Sequence, residues 1–125
     1  MKKILVVEDD LLSARVVRDF LGAHGYAISI ATTGVEGLER FEREEPDLMI
    51  VDVALPKKNG LELCFDVKRT ERGRRMPVLV TSAVYRDPTD DHKYLRDDLH
   101  VQGWLPKPFD LAALLERVEQ LIGSA

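Results

Sequence analysis

The sequence predicts an α/β fold in which a parallel sheet is covered by helices on both faces, and three features carry that prediction. Strand-like and helix-like segments alternate along the chain, five of each, with short links. The strand-like segments at 4–7 and 48–51 are continuous apolar runs, the pattern of strands buried on both faces. Both runs stop at carboxylates, Glu8-Asp9-Asp10 and Asp52, and the carboxyl ends of parallel strands are where open α/β sheets bind ligands.

Whole-chain properties set the frame. At 125 residues the chain fits one domain, 1–125, large enough to bury a core without staples. It is 45% apolar and 32% charged, ordinary for a soluble protein. A net charge of −4 argues against nonspecific nucleic-acid binding as the main task of this chain. Cys64 is the only cysteine, so there is no disulfide framework and no cysteine metal site. No stretch approaches the roughly 20 apolar residues of a membrane span. Met1-Lys2-Lys3 leads into too short an apolar run for a signal peptide, and a cytoplasmic protein is expected.

The elements follow in order. After the strand at 4–7, residues 11–24 read as a helix with Leu12, Val16 and Phe20 on one face and Val17, Leu21 and His24 beside them. Asp10 is its expected N-cap and Gly25 its stop. Residues 26–31 alternate only partly, which suits a sheet edge. A helix to about Glu44 should turn Val35, Leu38 and Phe41 inward, and Pro46 closes it before the strand at 48–51.

Pro56 and Gly60 mark a loop after Asp52. Gly60 opens a helix to about Glu71, with Leu61, Leu63, Cys64 and Val67 inward. Arg72-Gly73-Arg74-Arg75 reads as a solvated basic loop. Residues 77–81 form another strand. Asp87-Pro88-Thr89-Asp90 starts a weakly amphipathic helix over 89–99, with Leu95 and Leu99 as its apolar pair and Asp90, Asp91, Asp97 and Asp98 on a solvated face. Residues 101–105 make the last strand, and Pro106 fits a strand end or an edge. The helix over 110–122 has the clearest stripe: Leu111, Leu114, Leu115, Val118, Leu121 and Ile122. Cys64 reads as core, and His24, His92 and His100 are scattered.

Two or three acids at the end of a buried strand repel one another and call for a cation or a lysine. Carboxylate oxygens favour Mg²⁺ over a transition metal. If the first and third strands are neighbours, Asp52 faces the acidic cluster. Ser82-Ala83 ends the fourth strand and offers a hydroxyl. In Lys107-Pro108-Phe109, proline holds the lysine backbone extended, so its side chain can be aimed at the same sheet edge.

Taken together, Val6-Val7-Glu8-Asp9-Asp10, Asp52 with Pro56 and Gly60, the run from Pro77 to Ser82-Ala83, and the run from Gly103-Trp104 to Lys107-Pro108-Phe109 resemble a response regulator receiver domain. The resemblance spans essentially the whole chain at compatible spacings. It implies a flavodoxin-like, doubly wound, five-stranded parallel sheet with strand order 2-1-3-4-5. It implies that Asp52 accepts a phosphoryl group from a histidine kinase or phosphotransfer protein. Mg²⁺ would be held by Glu8, Asp9, Asp52 and the backbone carbonyl of Ala54. Ser82 would bond the phosphoryl group, Lys107 would pair with it, and Ser82 with Trp104 would form the switch. Metal and lysine both neutralise charge on phosphoryl oxygens, as such a transfer requires.

The resemblance further implies a signalling switch rather than a metabolic enzyme, supporting its own Mg²⁺-dependent phosphorylation and autodephosphorylation. Ala54 and Val84 match positions that influence the hydrolytic water, and neither side chain can orient it, so a long-lived phosphoryl group is expected. Output would run through the face of the 89–99 helix, the last strand and the last helix, which would contact a downstream protein, an output domain or a second copy. Three departures stand out: the 82–107 segment is longer by roughly one helical turn, Pro106 is a proline, and Trp104 is bulkier than the usual Tyr or Phe.

A second reading is a binding module of the same fold that works without phosphorylation; intact Glu8, Asp9, Asp52, Ser82 and Lys107 argue against it. An aspartate-nucleophile phosphohydrolase would need its nucleophile where Glu8 stands. In a flavin-binding electron carrier, Glu8-Asp9-Asp10 would repel the phosphate.

Overall fold

The computed structural model describes residues 1–53, 55, 60–82 and 101–125, with Ser82 described by its backbone. Five parallel strands, β1 (Lys3–Val7), β2 (Ala27–Ala31), β3 (Leu48–Asp52), β4 (Val78–Ser82) and β5 (Gly103–Pro106), form one sheet in the order β2-β1-β3-β4-β5. The helices are α1 (Leu11–Ala23), α2 (Gly34–Glu44), α3 (Gly60–Lys68), the short α4 (Glu71–Arg75) and α5 (Leu111–Ile122).

Alternate strand residues feed two apolar layers, as the two-residue strand period dictates. Leu5, Val7, Met49, Val51, Val78 and Val80 meet Phe41 of α2 and Leu63, Cys64 and Val67 of α3. On the other face Ile4, Val6, Leu48, Ile50 and Leu79 meet Ala14 and Leu21 of α1 and Leu114 and Val118 of α5. Every residue of β3 is buried, as its uninterrupted apolar run predicts for the central strand. The weaker β2 and the proline-ended β5 take the edges.

Asp10 caps α1, accepting from the backbone N–H of Leu12 and Ser13. Helix α1 turns inward the Val17, Phe20 and Leu21 side of its predicted apolar face and leaves Leu12 and Val16 outside. Ala14 and Leu21 are buried, Val17 and Phe20 partly so, whereas Leu12 is 74% exposed and Val16 46%. Both the 12/16/20 and the 14/17/21 rows run down one side of a helix. Small Ala14 lets the second row lie close on the sheet. Val35 is likewise exposed, while Phe41 is fully buried and Leu38 partly buried.

Helix α3 ends at Lys68 rather than near Glu71, because Thr70 breaks it. The Thr70 hydroxyl donates to the Val67 carbonyl (2.7 Å) and accepts from the Gly73 N–H (2.9 Å), capping a new turn. The basic run predicted as a loop is therefore helix α4. Its Arg72 stacks 4.5 Å from the Phe41 ring centroid and bonds Glu45 at 2.9 Å. The predicted 89–99 helix, with Tyr94, Leu95, Leu99, His92, His100 and the acidic face, lies outside the described residues. Among those described, no helix is long and apolar enough to cross a membrane.

Candidate functional site

Register brings the polar strand ends together. Val7 pairs with Val51, Asp52 with Thr81, and Ser82 with Pro106, so Glu8, Asp52, Ser82 and Lys107 all leave the sheet at one edge. Glu8 is fixed by its backbone N–H, which donates to the Ala31 carbonyl at 2.9 Å. Glu8 and Asp52 are buried, at 6% and 7% exposure, and Asp9 is exposed. One carboxylate oxygen from each of Glu8, Asp9 and Asp52 lies within 4.8 Å of the other two. Asp10, by contrast, belongs to the helix cap. The Ser13 hydroxyl donates to it at 2.8 Å and holds its carboxyl below the usual range.

Lys107, just past the end of β5, enters this group. Its Nζ donates to Glu8 Oε1 at 2.6 Å and to Asp52 Oδ2 at 2.9 Å. The Lys107-Pro108 peptide is cis. Burial opposes the ammonium form, but the bonds to Glu8 and Asp52 outweigh it and raise the Lys107 pKa. Burial and the neighbouring Asp52 carboxylate also raise Glu8, from 4.5 to about 7, against the pull of Lys107, and so favour its neutral form. The second Glu8 oxygen, Oε2, is buried without a hydrogen-bond partner. Three hard oxygen donors, one buried oxygen left over and an exposed side at Asp9 fit a small divalent cation that keeps several waters.

Backbone fit also shapes the site. The Gly60 N–H donates to the Val53 carbonyl at 2.9 Å, seating the start of α3 under the end of β3. A Cβ at position 60 would lie 2.3 Å from the Asp52 carbonyl oxygen, so only glycine fits. Beside the carboxylates an open cleft of about 530 Å³ runs between α1 and the 107–109 segment. Leu12, Val16, Pro108 and Phe109 supply apolar lining, and Glu8 and Lys107 supply charge. The apolar side of α1 that the sequence assigns to the core thus lines the rim of the site.

Of the residues predicted for the site, Glu8, Asp9, Asp52 and Lys107 are brought together. Ala54, Pro56, Ala83 and Val84 lie outside the described residues, as does the Ser82 hydroxyl. Trp104, on β5, is half-buried against the layer that holds α2 and α3, and its carbonyl accepts from Arg117 Nη1 at 2.7 Å. Cys64 is buried in that layer, and burial pushes its thiol up to about 12, as a packing role requires.

A family model described as the response regulator receiver domain matches residues 4–119. Response regulator MprA of Mycobacterium leprae is 37% identical over 120 residues, covering 96% of this chain and 50% of its own length. The chain thus spans about half the length of the curated relatives it matches. Among solved structures, chemotaxis response regulator CheY4 of Vibrio cholerae is similar with a TM-score of 0.89 and 27% identity over 98% of this chain and 99% of that one. The receiver domain of sensor histidine kinase PA1611 of Pseudomonas aeruginosa has a TM-score of 0.84 and 26% identity, covering 98% of each chain, and holds a magnesium ion in its active site cleft.

Proposed function

Because the chain belongs to the response regulator receiver domain family, we propose that it is a phosphorylatable switch of a two-component system with Asp52 as the acceptor. The observation that carries this reading is the buried Asp52 carboxylate, held by Lys107 beside Glu8 and Asp9. A buried acid at a strand end, oriented by a lysine that itself lines a cleft, is a nucleophile with its charge partner in place.

The transfer is a displacement at phosphorus. An Asp52 oxygen forms the new bond, the bond from phosphorus to the donor nitrogen breaks, and the donor imidazole keeps that electron pair. Lys107 already sits at the acceptor and pairs with the transferred oxygens. The Ser82 hydroxyl donates to the same oxygens. Glu8, Asp9, Asp52 and the Ala54 carbonyl would hold Mg²⁺, which when bound neutralises charge on the phosphoryl oxygens. Loss of the phosphoryl group by hydrolysis resets the switch, and Ala54 and Val84 offer the attacking water no side-chain partner.

The donor is a histidine kinase or phosphotransfer protein. The exposed Leu12 and Val16 supply an apolar surface for it on the cleft that Glu8 and Lys107 also line. The receiver occupies residues 1–125 and works in the cytoplasm. It acts on a downstream protein or output domain, or on a second copy, through the face of the 89–99 segment, β5 and α5.

Acetyl phosphate with Mg²⁺ tests this reading. Intact mass should show one added phosphoryl group in wild type, none in Asp52→Asn, and none with EDTA. Equal labelling of the Asn variant would overturn the assignment. A folded wild type that never labels would favour the phosphorylation-independent module.

A further inference from the structure

Lys68, on the last turn of α3, is a buried cation that the transfer chemistry does not use. Its Nζ donates to the Gly73 carbonyl (2.8 Å), the Met76 carbonyl and the Gln102 side-chain Oε1 (3.3 Å). Those acceptors match the three protons of an ammonium, and none of them is a carboxylate. Burying a charge without an opposite charge opposes folding, so the role of Lys68 must be sought in what it holds.

It holds the entrance to β5. Gln102 immediately precedes that strand and is bonded to β4 as well. Its Oε1 accepts from the Val78 N–H at 2.9 Å, and its own N–H donates to the Val78 carbonyl at 3.2 Å. The acceptors of Lys68 therefore join α3, α4 and the start of β5 at one point. A Cβ at Gly73 would lie 1.9 Å from the Val67 carbonyl oxygen, so the tight turn that aims the Gly73 carbonyl at Lys68 needs glycine. From Gln102 the chain passes through Trp104, packed on the layer containing Cys64, Val67 and Val78, and on to Lys107.

We propose that Lys68 is a positioning residue for the site: acting through Gln102, it sets the start of β5 and so the placement of Trp104 and, past the strand's far end, of Lys107. The geometry stands by itself; its consequence for signalling rests on the roles of Lys107 and Trp104 given above.

Burial pushes the Lys68 ammonium down from 10.5 to about 8, with Cys64 a smaller opposing influence. The Cys64 thiol stays protonated to about 12. Of the α4 arginines, Arg74 lies against Lys68: its Nε donates to the Lys68 carbonyl at 3.3 Å. Among these described neighbours, Lys68 is therefore the group that changes charge between roughly pH 7 and 9.5. An unfolded chain keeps this proton to higher pH, so the folded state gains stability from about pH 8 toward 10.5. The neutral amine has two N–H donors for three acceptors, so the longest bond, to Gln102, is the one given up, and that loss is separable from unfolding.

The experiment follows Trp104 emission against pH in the unphosphorylated protein without Mg²⁺, so its failure is distinct from failure of the phosphoacceptor assignment. Wild type should show a shift centred near pH 8 with no drop in its urea midpoint. Lys68→Arg, which keeps its charge, should lose the shift. Lys68→Met should stay at the alkaline signal throughout, and Gln102→Leu should be flat. A flat wild-type profile, or the same shift surviving in Lys68→Arg, would overturn the proposal; survival in Gln102→Leu would overturn the route through Gln102. If Lys68→Met does not fold, Lys68→Arg and Gln102→Leu decide.

Discussion

The ammonium of Lys107 lies 2.9 Å from the Asp52 carboxylate, 55 positions away in sequence, and it also bonds Glu8. One cation thus offsets two buried acids. Replacing Lys107 by alanine should destabilise the metal-free protein by about 1–3 kcal/mol at pH 8, the usual cost of orphaning a buried polar partner. The loss should be smaller at pH 6, where Glu8 keeps its proton and one fewer charge needs an offset. Urea melts at the two pH values measure the difference. An equal loss at both would show that the two acids do not share this lysine's charge.

Mg²⁺ should bind more tightly as pH rises toward neutrality. The Glu8 carboxyl is raised from 4.5 to about 7 in the folded state. The metal-free fold therefore holds a proton that the unfolded chain releases. The stability this contributes is full below about pH 4.5 and is lost as pH climbs through about 7. A cation at the site competes for the same oxygens and displaces that proton. The increase in melting temperature on adding Mg²⁺ should grow from pH 5.5 to about pH 7.5 and then level off. Glu8→Gln should flatten that dependence, and a flat profile in wild type would contradict it.

Gly60→Ala should disturb the site from behind. The added methyl meets the Asp52 carbonyl oxygen at 2.3 Å and Val53 Cα at 2.7 Å, both backbone that cannot swing away. We expect about 1–3 kcal/mol of destabilisation, the range for overpacking. Labelling of Asp52 by acetyl phosphate should also slow, since the strand end must shift. Full labelling rate in a destabilised Gly60→Ala protein would show that the shift spares the acceptor.

The strands and the site were legible in the sequence for one reason: a buried parallel strand has no solvent face, so its apolar run stops where the polar edge begins. That is why Glu8 and Asp52 could be placed at one edge before any coordinates, whereas Lys107 was placed by the extended backbone that Pro108 imposes and by the likeness to receiver domains. The helices were less legible, because α1 carries apolar residues on two faces. Ala14 looks neutral in a pattern, yet it is the residue that packs on the sheet, while Leu12 and Val16 face the cleft. Nothing in the sequence marked Lys68, since its burial depends on carbonyls that α4 aims at it and not on residue type. The signals for α4 itself, Thr70 as a cap with Glu71 in the first turn, were present but outweighed by the run of arginines.

Trp104 should report the switch itself. Its ring is half-buried against the layer on the α2 and α3 side, and its strand lies beside β4, where Ser82 pairs with Pro106. A phosphoryl group on Asp52 would draw the Ser82 hydroxyl toward it by a charge-assisted hydrogen bond. The space that Ser82 leaves can be taken up by an aromatic ring from β5, and the two arrangements need differ by only a few kcal/mol for one modification to change their populations. Arg117 Nη1 bonds the Trp104 carbonyl, so a shift of this strand would be felt at α5. Trp104 is the only tryptophan, so its emission needs no label. Beryllofluoride, an analogue of the phosphoryl group, should change that emission in the presence of Mg²⁺ in wild type. The change should disappear in Asp52→Asn and shrink in Ser82→Ala, even where the analogue still binds. Unmoved emission with binding confirmed by ¹⁹F resonance would mean that Trp104 is not the moving part and that output leaves through another surface.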